Sequence, residues 1–160
     1  MIFVTVGEQL PFDRLIRTVD EWGRTSKKEI FAQIGRSTYI PQHIPYKDFL
    51  TPEEFKEKLL AADVIVAHAG MGTIITALEM GRPILIMPRQ VTFGEVRNNH
   101  QFSTARRFMD LNYATVAFDE VELKAKLDKL AESVSCQNLA GAIGPSPLLI
   151  KTIQEFIKMH

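Results

Sequence analysis

The sequence holds one cysteine, Cys136, so no intrachain disulfide can form, and no Cys/His cluster has the spacing of a zinc site. That usage fits a reducing, cytoplasmic setting. Charge of one sign is also missing. Nineteen Lys and Arg balance 19 Asp and Glu, which excludes a protein that works mainly by coating nucleic acid or an anionic membrane. No run approaches the ~18 apolar residues of a membrane span. The chain opens on Ile2-Phe3-Val4-Thr5-Val6, without the basic region and long apolar stretch of a signal peptide. The expectation is a chain without a membrane span, tethered by something else if it serves a membrane pathway. Several catalytic signatures are absent as well: no Gly-x-Ser-x-Gly elbow, no HExxH, no Gly-Lys-Ser/Thr and no Asp-x-Asp.

What is present is a regular alternation. At 160 residues and 46% apolar content, one domain spanning 1–160 is expected. Strand-like runs at 2–6, 30–34, 64–67 and 84–87 are separated by stretches of helical period, beginning with Phe12, Leu15, Ile16, Val19 and Trp22 on one face. Thr51-Pro52-Glu53-Glu54 reads as an N-cap, a proline at the first helical position and first-turn acids, opening a helix that ends near Ala62. A short strand is expected at 46–50, helices at 73–80, about 95–109 and about 119–133, and a strand around 114–117. A last helix, 148–160, carries an apolar stripe of Leu149, Ile150, Ile153, Phe156 and Ile157 that either packs on the sheet or docks on a partner. Apolar strands alternating with helices predict a single doubly wound, Rossmann-like α/β domain with a mainly parallel sheet. Ligands of such sheets bind beyond the carboxyl ends of the strands. The candidate loops are therefore 7–12, 35–37, 68–73 and 88–101.

Of these, His68-Ala69-Gly70-Met71-Gly72-Thr73 is the most informative, because a buried strand runs through two glycines into a helix. Glycine lets backbone amides approach an anion, and the helix N-terminus adds unpaired N–H groups and a favourable dipole. The same glycines would also serve a tight turn with no ligand, and the residues alone leave both readings open. As a dinucleotide fingerprint the loop is poor: Ile75 stands in place of the third glycine, and Pro88-Arg89 rather than an acid follows the next strand. NAD is thereby disfavoured, while Arg89 leaves an opening for NADP. Residues 82–107 hold Arg82, Arg89, Arg97, Arg106 and Arg107 against one acid, Glu95, and Arg89 is the one singled out for an anionic ligand. Asn98-Asn99-His100-Gln101 offers donors and acceptors suited to sugar hydroxyls, or equally to capping a helix. His68 is either a structural histidine or a ligand contact.

Read in order, Val4-Thr5-Val6-Gly7, Pro11-Phe12-Asp13-Arg14-Leu15-Ile16, Gln33-Ile34-Gly35, Ala62-Asp63-Val64-Ile65, His68 to Thr73, Gly81-Arg82-Pro83, Met87-Pro88-Arg89 and Asn99-His100-Gln101 resemble the C-terminal domain of glycosyltransferase family 28, over about 2–130. The likeness extends to its stand-alone members, in lipid-linked oligosaccharide and bacterial exopolysaccharide synthesis. It implies the donor half of a GT-B glycosyltransferase that binds a UDP-sugar with no metal and no other cofactor. By that resemblance, Gly70, Met71, Gly72 and Thr73 hold the diphosphate beside His68, backbone near Phe49 and Leu50 meets uracil, and Asn99, His100 and Gln101 lie at the donor sugar. Gly7 lines the cleft and Arg89 assists departure of UDP. The family often has Thr or Ser where this chain has Glu8, expected to face away or to meet the acceptor or a partner. It often has a ribose-binding Glu where this chain has Thr76, so that Glu79 is a possible substitute. The implied partner is a membrane-anchored, acceptor-binding subunit that supplies the catalytic base. The implied acceptor is a polyprenyl-diphosphate-linked saccharide receiving a hexose or N-acetylhexosamine, with inversion, at the cytoplasmic membrane face. The competing expectations are a non-catalytic nucleotide-binding regulatory module and an NADP-linked reductase.

Overall fold

The computed structural model describes residues 1–132. The expected helix at 148–160 and Cys136 lie outside the described residues. In chain order the elements are β1 (Ile2–Thr5), α1 (Asp13–Gly23), β2 (Ile30–Gln33), β3 (Tyr46–Lys47), α2 (Pro52–Ala61), β4 (Val64–His68), α3 (Met71–Glu79), β5 (Ile84–Met87), α4 (His100–Asp110), β6 (Thr115–Val116) and α5 (Glu120–Glu132). The sheet runs β3-β2-β1-β4-β5-β6. Every pairing in it is parallel, and Phe3 of β1 lies level with Phe31 of β2 and Ile65 of β4. This is the doubly wound strand order, so the Rossmann-like sheet expected from the alternation is borne out.

Each sheet face carries its own core, which is why the central strands are apolar on both sides. On one face Val4, Val66 and Leu85 pack with Leu15, Ile16 and Val19 of α1 and with Leu123 and Leu127 of α5. On the other, Phe3, Ile65 and Ile86 pack with Leu59, Ile74 and Phe108. The indole of Trp22 reaches across from α1 to donate to Asp128 of α5, at 2.8 Å. Helix α2 opens with the expected cap: Thr51 accepts from the Glu54 amide while the Glu54 carboxylate accepts from the Thr51 amide.

The helix expected at 73–80 runs from Met71 to Glu79, and two boundaries differ more widely, for physical reasons. The helix expected from about 95 starts at His100. Glu95 is pulled instead into a bond with Arg14, and the preceding 3₁₀ turn, Val91–Phe93, ends on Gly94 in the left-handed region at φ 68°. The strand expected at 46–50 is paired only at Tyr46–Lys47. Beyond it the chain turns to bring Leu50 onto the side chain of Gln33.

No helix connects β2 to β3. Backbone donors in that connection go instead to Asp20 of α1, whose carboxylate is fully buried. One oxygen accepts from the His43 and Ile44 amides at 2.8 and 3.1 Å; the other accepts from the Gln42 amide and the Tyr39 hydroxyl at 3.0 and 2.8 Å. Burial opposes the charge, yet these four donors outweigh it and hold the carboxyl below its ordinary pKa.

Candidate functional site

The strand order reverses between β1 and β4, and the carboxyl ends of these neighbours carry Gly7 and the turn from His68 to Thr73. His68 closes β4, and its ring fills the space under both loops. A Cβ on Gly70 would lie 2.1 Å from the ring Nε2, and one on Gly7 would lie 2.9 Å from Cε1. Gly7 is further restricted by its φ of 73°. These glycines are thus required by the histidine between them. The ring is neutral at physiological pH: burial, then the positive charge of Arg89, pushes its pKa down to about 4. The Thr5 backbone favours the cation slightly, although Nδ1 has no partner in hydrogen-bonding geometry.

Gly70 is the N-cap of α3, and no side chain caps that helix. The amides of Met71, Gly72 and Thr73 therefore have no partner within the helix, because the Gly70 carbonyl receives the amide of Ile74. Gly72 differs from its neighbours: a Cβ there would meet nothing within 4 Å. The turn is thus closed by the His68 ring at Gly70 and open at Gly72, which is exposed. Thr76 donates to the Gly72 carbonyl at 2.9 Å, and Glu79 is exposed.

Arg89, just past β5, is 4% exposed. Its Nη2 donates to the carbonyls of Val6 and Leu10 at 2.7 and 2.5 Å, clamping both sides of the Gly7 loop. Its guanidinium carbon sits 5.1 Å from the Phe12 ring centroid. Burial lowers the guanidinium pKa to about 10, against the favourable charge of Glu95, so it remains a cation at neutral pH. The Arg89 amide donates to the side-chain oxygen of buried Gln101 at 3.1 Å, which ties the start of α4 to the end of β5. Asn99 and His100 beside it are exposed. The His100 ring lies against the Asn98 side chain.

Phe49 is 49% exposed. Leu50 is half-buried and spends its amide on the Gln33 side-chain oxygen at 3.1 Å. Gln33 in turn donates to Thr5 Oγ1 at 3.5 Å, linking the ends of β1 and β2 to the loop after β3. Sequence reasoning gave Gln33 no role of its own; the signal was a polar residue at the end of an apolar strand. Glu8 is exposed, and its carbonyl accepts from Arg36 at 3.0 Å. The local excess of arginine does not form one patch: Arg82 donates to the Leu60 carbonyl, and Arg106 lies over Phe102.

Residues 1–140 match the glycosyltransferase family 28 C-terminal domain. The chain belongs to this family. Among similar proteins, the human UDP-N-acetylglucosamine transferase subunit ALG13 is 31% identical over 117 residues, 66% of this chain and 10% of that protein. The UDP-N-acetylglucosamine--N-acetylmuramyl-(pentapeptide) pyrophosphoryl-undecaprenol N-acetylglucosamine transferase of Geobacillus kaustophilus is 29% identical over 123 residues, 71% of this chain and 34% of that protein. This family 28 chain therefore spans a tenth to a third of these relatives. In fold it resembles the crystal structure of Acinetobacter baumannii MurG, with a TM-score of 0.64 at 16% identity, covering 99% of this chain and 49% of that one. No helix among the described residues is long and apolar enough to cross a membrane.

Proposed function

We propose that this chain is the donor-binding subunit of a two-component glycosyltransferase that takes a UDP-sugar. The observation that carries the reading is the turn from His68 to Thr73, with uncapped first-turn amides and open space over Gly72. In this reading those amides receive the diphosphate, backbone beside Phe49 and Leu50 meets the uracil, and Thr76 borders the ribose. Asn99 and His100 lie at the sugar, and buried Gln101 holds the start of α4 behind them. The human and Geobacillus relatives, both UDP-N-acetylglucosamine transferases or subunits of one, support an N-acetylhexosamine donor. The word subunit in the human name supports a partner, and the undecaprenol in the other supports a lipid-linked acceptor.

The chemistry needs little from this half beyond binding and electrostatics. An acceptor hydroxyl attacks the anomeric carbon, the new C–O bond forms as the bond to the diphosphate oxygen breaks, and UDP leaves with the electron pair. The hydroxyl proton passes to a base on the acceptor-binding subunit, and attack opposite the leaving group inverts the anomeric centre. The α3 amides receive the charge that develops on UDP, and Arg89 supports it as a buried cation that also shapes the Gly7 loop. Neutral His68 adds no charge at neutral pH. No metal or other cofactor enters this scheme. The NADP reading is disfavoured because the Arg89 guanidinium is buried on backbone carbonyls.

Arg89→Ala is expected to weaken UDP binding about tenfold, the equivalent of roughly 1.4 kcal/mol. Unchanged affinity in a calorimetric titration would remove Arg89 from the site. For the whole proposal, the test is co-expression with a membrane-anchored candidate partner and an assay with labelled UDP-sugar and a polyprenyl-diphosphate-linked acceptor. Transfer by the complex at the cytoplasmic membrane face, and none by either part alone, is the expected result. A complex that binds UDP-sugar and never turns over would favour a regulatory module instead.

A further inference from the structure

Arg14, near the start of α1, makes a forked ion pair with Glu95: Nε to Oε1 at 2.9 Å and Nη2 to Oε2 at 3.0 Å. Both side chains are about nine-tenths buried, at 10% and 9% exposure. The same guanidinium donates to Glu120 at the start of α5, at 3.2 Å, and to the Pro88 carbonyl at 3.3 Å. Its carbon lies 4.6 Å from the Phe93 ring centroid and 5.5 Å from that of Phe12. One planar group thus touches Pro88, Phe93 and Glu95, three points along the segment between β5 and α4.

That segment has little else to hold it. Its only regular piece is a 3₁₀ turn, and residues 91–94 are exposed. Glu95 closes it by accepting from the Gln90 amide at 2.9 Å, and the Gln90 side chain donates to the Phe118 carbonyl at 3.0 Å. At the far end, Gln101 accepts from the Arg89 amide. The stretch from Pro88 to Gln101 is a closed loop whose distal part carries Asn98, Asn99 and His100.

We propose that Arg14 is a positioning residue for the sugar end of the donor site, latching the β5–α4 segment so that Asn99 and His100 are held in place before ligand arrives. This rests on the UDP-sugar reading and adds to it a residue that touches no ligand. A buried ion pair is a poor way to gain stability alone, since desolvation consumes most of the attraction. A fork that fixes direction at several points suits orientation instead. Helix α1 is secured separately by Leu15, Ile16 and Val19, each fully buried. The adjacent cleft of about 520 Å³ is lined by Arg14, Phe93, Glu95, Glu120 and Lys124. Of the other charged side chains lining it, Lys124 pairs with Glu21, Asp13 accepts from the Thr38 amide and Arg17 lies over the Tyr39 ring.

The test compares UDP with UDP-N-acetylglucosamine on the full chain, as wild type, Arg14→Lys and Glu95→Gln, by calorimetric titration and amide NMR. Lysine keeps the charge and loses the fork. The expected result is UDP affinity within about twofold of wild type, with the affinity ratio of UDP-N-acetylglucosamine to UDP falling about fivefold, roughly 1 kcal/mol. Amide shifts should move at Gln90, Glu95 and residues 98–101 and stay fixed from Gly70 to Thr73. If both ligands weaken together, or neither does, Arg14 is structural or silent and the proposal fails. Glu95→Gln carries the comparison if the lysine variant does not fold, because it keeps the shape of the side chain it replaces. Failure of the wild type to bind UDP would overturn the donor-site reading itself, an outcome separate from a wild type that binds and variants that do not differ.

Discussion

Gly72→Asp is expected to abolish UDP binding while leaving the protein folded. A side chain at this position enters open space, since nothing lies within 4 Å of its Cβ. The new carboxylate would stand in the first turn of α3, where it interacts favourably with the helix dipole by about 0.3–1 kcal/mol. Thermal stability should therefore hold or rise slightly. Against a diphosphate on the same amides the charge acts the other way: two unit charges about 4 Å apart near a protein surface repel by roughly 4 kcal/mol, or about a thousandfold in affinity. Opposite effects on stability and binding are hard to obtain from general damage. Parallel melting curves and UDP titrations read both. Retained affinity would place the diphosphate elsewhere.

Asp20→Ala is expected to be the most destabilising of the substitutions considered, by about 3–5 kcal/mol, because each backbone donor left without a partner costs about 1–3 kcal/mol. Against a typical total of about 5–15 kcal/mol this is a large share. The sign with pH follows from the lowered carboxyl pKa. Stability from the ionised form is fully present above the unfolded value near ~3.9 and is lost as pH falls through the lower folded value. Denaturant unfolding of wild type and Asp20→Asn should therefore differ most at neutral pH and converge as the solution is acidified below about pH 4. A gap that is constant with pH would show that the carboxylate charge is not what holds the β2–β3 connection. The consequence reaches the site, since that connection delivers β3 and then Phe49 and Leu50.

Much of this molecule was legible before its structure. The apolar runs at Val64-Ile65-Val66 and Ile84-Leu85-Ile86 announce strands buried on both faces, and Thr51 with Glu54 announces a helix start. The glycines around Met71 marked the turn because backbone approach needs them locally. What stayed hidden depends on contacts remote in sequence. Nothing near Asp20 says that its acceptors serve amides 22 to 24 residues away. Nothing near Arg14 points to Glu95, 81 residues on. Arg89 stands out in the sequence for its charge, yet its bonds to Val6 and Leu10 show a second use as the clamp on the first loop. His68 likewise acquires a reason only when Gly7 is seen above it: the histidine and the glycines are one packing solution. Local helical period starts α4 too early, because it competes with an ion pair that no window of sequence contains.

The central claim is that the open side of the His68 to Thr73 turn receives a uridine diphosphate. Saturation-transfer NMR on the purified chain with UDP, UDP-sugars and NADPH tests it most directly, because the method registers weak binding. The account predicts transfer to the uridine and sugar protons of UDP ligands and its loss in Gly72→Asp. Silence towards UDP together with transfer to NADPH would contradict it.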